Sequence, residues 1–337
     1  MANLYLEGFD YYPTGSLLAA SGSGWTGSAS GVPAAVSTDT PITGSRSIYQ
    51  TSFSTFTDVC NYAISPSTNE IYLGFAFVPE LFGSGSAAWG FGVRSASTYF
   101  LITFSGSGQI VASRAGTGLA SSTATLTTGV KSYIEAHLTG TTYEILLNGV
   151  SVLSGSMTSI GTINTITFQR SGGNGSPRGF FDDIYVNDTS GTLNTGYLGE
   201  IAVHTLLPDT DETPQDWTLS GGLDAFDLLN NVPSTANDYI EAETVNNEAA
   251  FTFSQLGVEA SSIHCARVIY RGQKTSVGPS SVQASLTQGS TTVAGTENAM
   301  TDSTYNWYID AYETDPDTGE AWDPGTFDPK VTLKRTV

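Results

Sequence analysis

"TYEILLNGVSVLSG", residues 142–155, decides the fold. Two short apolar runs flank Asn148-Gly149, a dipeptide that accepts the positive φ angles of a two-residue hairpin turn at low steric cost. The stretch therefore reads as two antiparallel strands. The same signal spreads outward from it. "EIYLGFAFV" (70–78) puts Ile71, Leu73, Phe75 and Phe77 on one face at a period of two. "YFLITF" (99–104), "KSYIEAHLT" (131–139) and "TINTITFQ" (162–169) continue the pattern, and no helical period competes with it. Many short strands broken by Gly/Ser turns predict an all-β sandwich or barrel.

The chain has 337 residues, room for two domains with a core each. Its net charge of −20 excludes a nucleic-acid surface, which needs clustered Lys and Arg, and disfavours an anionic membrane. No stretch approaches the ~18–20 apolar residues of a membrane-spanning helix. "MANLYLEGFDYYPTG" has no basic and apolar leader, so synthesis in a reducing cytoplasm is expected. Cys60 and Cys265, far apart in sequence, read as buried free thiols, with an interdomain disulfide as the alternative.

Composition changes after residue 190. Residues 1–198 carry 11 acidic and 6 basic residues, whereas 199–337 carry 21 and 6, so the second part holds most of the negative charge. The turn-rich "NDTSGTLNTG" (187–196) marks the join. We therefore expect one sandwich over 1–196 and a smaller, acidic β-sandwich over 197–337. Seven strands are expected in the latter, at 199–207, 238–244, 249–256, 262–271, 281–287, 305–313 and 330–336. The acidic stretch 208–237, with Pro208, Pro214 and Pro233, is expected to wrap the surface.

"RGFFDDIYVNDTSG" (178–191) sets Asp182 and Asp183 inside a run otherwise built for burial. Neighbouring side chains of an extended strand point to opposite faces, so the two cannot converge on one bond as general acid and base. A framework role is expected, with one carboxylate inward or against a loop and satisfied by donors. Metal ligation and catalysis are the weaker alternatives.

With the hairpin at Asn148-Gly149, a closing strand bearing Gly179, Phe181, Asp182, Asp183, Ile184 and Val186 resembles concanavalin-A-like jelly rolls of the laminin-G-like type. That resemblance covers residues 1 to about 196 and implies a jelly-roll sandwich, a fold that hosts lectins, hydrolases and structural modules. The whole chain is similar to accessory virion proteins of tailed bacteriophages in "LYLEGFDYY", "FFDDIYVNDTSG", "LGEIAVHTLLP", "DWTLSGG" and "ETDPDTGEAW". The resemblance implies a non-enzymatic structural protein of the virion, a head decoration (cement) or tail appendage, assembled in the host cytoplasm and bound to capsid or tail proteins. A homo-oligomer, a trimer before a dimer, is expected by the same analogy. Its contacts are expected in 1–196, the less charged part. A lectin-like adhesin binding host glycan is the alternative reading, and a glycoside hydrolase the third.

Residues that would carry chemistry are sparse. The Glu-x-Asp-x-x-Glu strand of glucanases with this fold is missing; Glu241 and Glu243 share a face without the central aspartate. His137, His204 and His264 lie in strand patterns, and no Gly-x-Ser-x-Gly elbow occurs. No cofactor is expected. "DTDET" (209–213) and "DPDTGEAWD" (315–323) hold oxygen ligands of the kind calcium takes, without matching its standard loop. Of the five tryptophans, Trp89 and Trp307 fall in strands and are expected in cores. Trp25, in "SGSGWTGSASG", is the candidate for glycan stacking.

Overall fold

The computed structural model describes residues 3–17, 24–28, 34–50, 59–82, 88–171, 178–222, 224–231, 237–302 and 304–337. Among the described residues it is all-β apart from one five-residue helix. The chain divides into two compact units, one ending at His204 and the other starting at Thr205.

The first unit is a sandwich of two antiparallel sheets. Its strands are β1 (Asn3–Glu7), β2 (Gly15–Ser16), β3 (Trp25–Ser28), β4 (Ala35–Ser37), β5 (Ser47–Gln50), β6 (Val59–Thr68), β7 (Ile71–Leu81) and β8 (Ala88–Arg94). They continue with β9 (Tyr99–Phe104), β10 (Gln109–Arg114), β11 (Thr117–Thr125), β12 (Ser132–Leu138), β13 (Thr142–Leu147), β14 (Val150–Ser156), β15 (Ile163–Ser171) and β16 (Arg178–Asn187). One sheet runs β14-β13-β12-β7-β16-β5-β4-β2, with β1 also pairing β16; the other runs β11-β10-β9-β8-β15-β6-β3. Strands distant in sequence lie side by side, as a jelly roll requires.

Alternation along the strands builds the core between the sheets. Ile71, Leu73, Phe75 and Phe77 are fully buried on the inner face of β7. Phe75 meets Phe91 at 5.3 Å, Phe77 stacks on Phe104 at 4.5 Å, and Phe168 meets Phe181 at 5.3 Å. Aromatic pairs bury large areas and favour such offset and edge-on geometries.

The second unit contains β17 (Pro208–Gln215), β18 (Thr218–Leu219), α1 (Ala225–Leu229), β19 (Ile240–Glu241), β20 (Glu248–Phe253), β21 (Ala266–Gly272), β22 (Ser281–Gln288), β23 (Thr291–Ala299), β24 (Asn306–Tyr312) and β25 (Lys330–Arg335). A five-stranded sheet, β17-β20-β25-β22-β23, packs on the two-stranded ribbon β21–β24. Val268, Ala284, Leu286, Tyr312, Trp322 and Val331 form the core between them. A satellite cluster of Ala225, Ala249 and Phe251 seats α1 on the same sheet. This is the smaller sandwich, and its second layer is a ribbon rather than a broad sheet.

Four readings of the strands change. Residues 199–207 form no strand: Ile201 is buried and Val203 packs with it against the first unit's outer sheet face. The proline-bearing stretch expected to wrap the surface supplies edge strand β17, and β23 was not expected at all. Residues 238–244 give only the two-residue β19.

The deciding hairpin has the expected turn, with Asn148 at φ 49° and Gly149 at φ 77°. The Asn148 side chain does more than tolerate the turn: its Oδ1 accepts the Tyr133 N–H at 2.8 Å, while its own N–H reaches the Tyr133 carbonyl at 2.8 Å. Asn148→Ala loses the side-chain bond and the residue type suited to positive φ, and should cost ~1–2 kcal/mol. Gly149→Val forces a branched side chain into the same region and should cost ~1–3 kcal/mol. Chemical denaturation followed by near-UV circular dichroism of both variants checks the order.

Candidate functional site

The nine-stranded sheet carries three of the polar residues the sequence singled out, Asp182, Asp183 and His137. β16 pairs with β7 as Asp182↔Ala76 and then Tyr185↔Gly74, so two residues, 183 and 184, stand opposite one. This is a β-bulge, and Asp183 sits in it at φ 50°. A bulge resets the alternation of side chains. The expectation that Asp182 and Asp183 point to opposite faces is therefore corrected: both are fully buried, and both carboxylates bond one residue, Thr43.

Four donors hold the pair. The Thr43 N–H donates to Asp182 Oδ2 at 3.0 Å, and the Asp183 N–H donates to Asp182 Oδ1 at 2.9 Å. The Thr43 hydroxyl donates to Asp183 Oδ2 at 2.7 Å, and the Val203 N–H donates to Asp183 Oδ1 at 2.7 Å. Beside them the Tyr133 hydroxyl donates to the Asp183 carbonyl at 3.1 Å. Buried carboxylates survive only when so paired.

Glu135, also buried, makes the second half of the clasp. It accepts the Tyr185 hydroxyl at 2.5 Å and the Gly199 N–H at 2.9 Å. The Tyr185 hydroxyl in turn accepts the Leu198 N–H at 3.2 Å. Tyr185 lies flat over Gly74, where an added Cβ would come within 2.2 Å of its ring. Leu198, Ile201 and Val203 then pack on Ala76, Tyr133 and Tyr185. The chain thus lays its own segment 198–203 across the sheet face and fixes it through three buried carboxylates.

Beyond this plug a ledge stays partly open. Tyr72 stacks on His137 with ring centroids 4.1 Å apart, and Tyr197 meets Tyr72 edge-on at 5.1 Å. His137 Nε2 lies 2.8 Å from Glu70 Oε1, and the Tyr197 hydroxyl donates to Glu144 Oε2 at 3.2 Å. Burial and the nearby carboxylates push the Tyr197 hydroxyl well above its usual range. Sequence reasoning named only His137 of this group. The others come together through strand register and the turn after β16, which no single-strand pattern encodes.

Trp25 requires a correction. It is 5% exposed, and its ring packs among Tyr5, Tyr62 and Phe168 at centroid distances of 6.0, 5.5 and 5.5 Å. No sugar can stack on it there. Trp307 is also not a core residue: it is half-buried, with the Arg271 guanidinium 5.6 Å over its ring. The Trp89 side chain lies outside the described residues. His204 is exposed, while His264 is half-buried and depressed by burial.

The acidic stretches of the second unit have local employment. Asp211 caps α1, its two oxygens accepting the Ala225 and Phe226 N–H groups at 2.7 and 2.8 Å. Asp315 accepts the Asp317 N–H, and Asp317 binds the Ser290–Thr291 turn. Asp323 accepts the Gly325 N–H. Among the described residues no three carboxylate, imidazole or thiol groups meet around one point. Cys60 and Cys265 are free thiols, and burial raises both, Cys265 to about 12.

No family model matches the chain, and no curated protein matches it. Solved structures similar to it include a sialidase, at 13% identity and a TM-score of 0.41, covering 56% of this chain. This chain spans only 19% of that sialidase. The carbohydrate-binding module CBM66 from Bacillus subtilis is 14% identical with a TM-score of 0.35, covering 49% of this chain and 96% of its own. A Bacillus subtilis protein of unknown function with a galectin-like fold is 10% identical with a TM-score of 0.39, covering 56% of this chain and 96% of its own. Carbohydrate-binding and galectin-like proteins are thus among the neighbours; the architecture itself stands on the strand order given above.

Burial first, and the Asp183 charge second, push the Asp182 carboxyl far above its ordinary range; burial also raises Asp183 against the pull of Thr43 and Val203. A carboxyl raised on folding contributes most below its unfolded value of about 4, and that contribution fades as pH climbs toward the folded value. Asp182→Ala strands two N–H donors and should cost ~1–3 kcal/mol at acid pH. The deficit should shrink as pH rises, because the variant no longer buries a charge. Thermal melts of wild type and Asp182→Ala across the pH range check both sign and size.

Proposed function

We propose that this chain is a non-enzymatic structural protein on the surface of a tailed-bacteriophage particle, acting through protein–protein contacts. One observation carries the non-catalytic part: segment 198–203 fills the outer sheet face, and Asp182, Asp183 and Glu135 are consumed in holding it. A carboxylate committed to backbone donors in a closed interior reaches no substrate. The setting on a particle rests on the sequence resemblance, and rigid sandwiches with long loops suit that setting.

A second reading, attachment to host glycan, is favoured by the ledge of Tyr72, His137 and Tyr197 flanked by Glu70 and Glu144. Half-exposed aromatic faces beside hydrogen-bonding groups are what a pyranose ring needs. The experiment that separates the readings has two arms. Antibody labelling of intact particles should place the chain on the head or tail, and its absence from purified particles overturns the structural reading. On a bacterial polysaccharide panel the purified chain should release no oligosaccharide; saturable binding lost at least about tenfold in Tyr197→Ala would establish the ledge as a sugar contact.

A further inference from the structure

Every β-sandwich must manage its sheet edges, because an edge offers unpaired N–H and C=O groups to any passing strand. In the first unit β11 and β14, the long edges of the two sheets, lie against each other, and the opposite ends are the short β2 and β3. In the second unit β17 carries Asp209, Asp211, Glu212, Pro208 and Pro214 and breaks register twice against β20. Those are devices that discourage strand addition. The ribbon strands bear Arg267, Arg271 and Asp310.

β23 is different. It has nine residues, "TTVAGTENA", with one charge, Glu297, and neither Lys nor Pro; its single register break against β22 falls at Gly295–Thr296 and leaves 291–294 regular. It ends the five-stranded sheet and is largely exposed, Val293 at 40%. The direction of its free groups follows from the ladder. Thr336 N–H bonds the Ser281 carbonyl, so odd-numbered residues of β22 face β25 and even-numbered ones face β23. Leu286 and Val293 therefore exchange backbone bonds, and Thr287–Thr292 is a non-bonded pair. The two threonine hydroxyls lie 2.8 Å apart, as the closer spacing of such pairs allows. Thr292 and Ala294 thus point their N–H and C=O groups away from the sheet.

We propose that β23 pairs antiparallel with β23 of a second copy of this chain, about a twofold axis through Val293. In that register Thr292 of each copy exchanges both backbone bonds with Ala294 of the other, and the exposed Val293 side chains meet on the axis. The alternating spacing of antiparallel bonds permits this register without moving β22. No charge faces its own copy across the axis. The bulge at Gly295–Thr296 ends the regular ladder, and Glu297 comes near the Gly289–Ser290 turn of the second copy, next to the Asp317 that binds the Ser290–Thr291 turn. That approach of like charges opposes pairing at low salt and is screened at high salt, so added salt strengthens the dimer. The contact lies in the acidic unit, whereas charge alone directed the sequence expectation to 1–196.

The test is sedimentation equilibrium of the full chain over a wide concentration range, from about 0.05 to about 0.5 M salt. A reversible dimer that tightens with salt is expected. Ala294→Pro removes an outward N–H without touching the bonds to β22 and should weaken the dimer at least about tenfold, with an unchanged melting temperature. Should that variant melt early, Val293→Glu leaves the backbone intact and must weaken the dimer through charges on the axis. A monomer under all conditions overturns the proposal, as does a trimer or a dimer that neither substitution weakens.

Discussion

The first unit depends on satisfying two adjacent carboxylates inside a strand that is buried from Gly179 to Asn187. An unpaired buried carboxylate costs more than a domain of ordinary stability can spare. The solution is local and then global. A bulge with Asp183 at positive φ turns both side chains toward the same loop, and Thr43 supplies two donors from one residue. The remaining Asp183 oxygen needs a donor from outside the sheet, and the Val203 N–H provides it. Satisfying the pair therefore requires the connector to lie down on the sheet, and burial of Leu198, Ile201 and Val203 follows from the same act.

This explains why β16 reads as a continuous buried run rather than an alternating one. A sheet with one wet face shows apolar residues at every second position. β16 is covered on both faces, by the inter-sheet core and by the clasped segment, so Phe180, Phe181, Ile184, Tyr185 and Val186 are all buried. Glu7 and Asp10 extend the same logic at the chain's start. Glu7 accepts the Phe9 N–H and the Tyr11 hydroxyl, while Asp10 accepts the Ser45 and Arg46 N–H groups and so shapes the loop that carries Thr43. Five buried acids of the first unit thus act as internal acceptors, which is why its acidic content says little about its surface.

Legibility in the sequence follows the same division. The hairpin at Asn148-Gly149 and the inner face of β7 were readable because turn chemistry and period-two burial are local. "EIAVHTLL" misled because apolar alternation encodes lying on a sheet as well as pairing within one. β17 was hidden by prolines and acids, which in an edge strand are protective rather than disruptive. β23 was hidden because an edge strand exposed on most of its surface carries no alternation to detect. At the candidate site, local rules gave Asp182 and Asp183 a framework role on the premise of opposite faces, and the bulge removes that premise. The ledge was beyond reach: Tyr72, His137 and Tyr197 meet through the register of β7 with β12 and the course of the chain after β16. Trp25, in a glycine-serine context that reads as an exposed loop, is instead covered by three aromatic rings.

The second unit uses its acids differently, and the contrast bears on how so acidic a chain stays folded. Its central strand β25 sends Val331 and Leu333 to the apolar face and Lys330 and Lys334 to the polar one. Lys330 reaches Glu212 on β17 at 3.2 Å, and Lys334 reaches its cross-strand neighbour Glu248 on β20 at 3.0 Å. Partly exposed pairs of this kind contribute only ~0–1 kcal/mol each. Their greater effect is on placement, since they set the lysines of β25 against acids of β17 and β20. Other acids accept backbone N–H groups, Asp211 of edge strand β17 at the start of α1 and Asp317 and Asp323 at turns. Negative charge is thus tolerated where it is spent on unsatisfied donors, around a sheet whose last strand is nearly neutral.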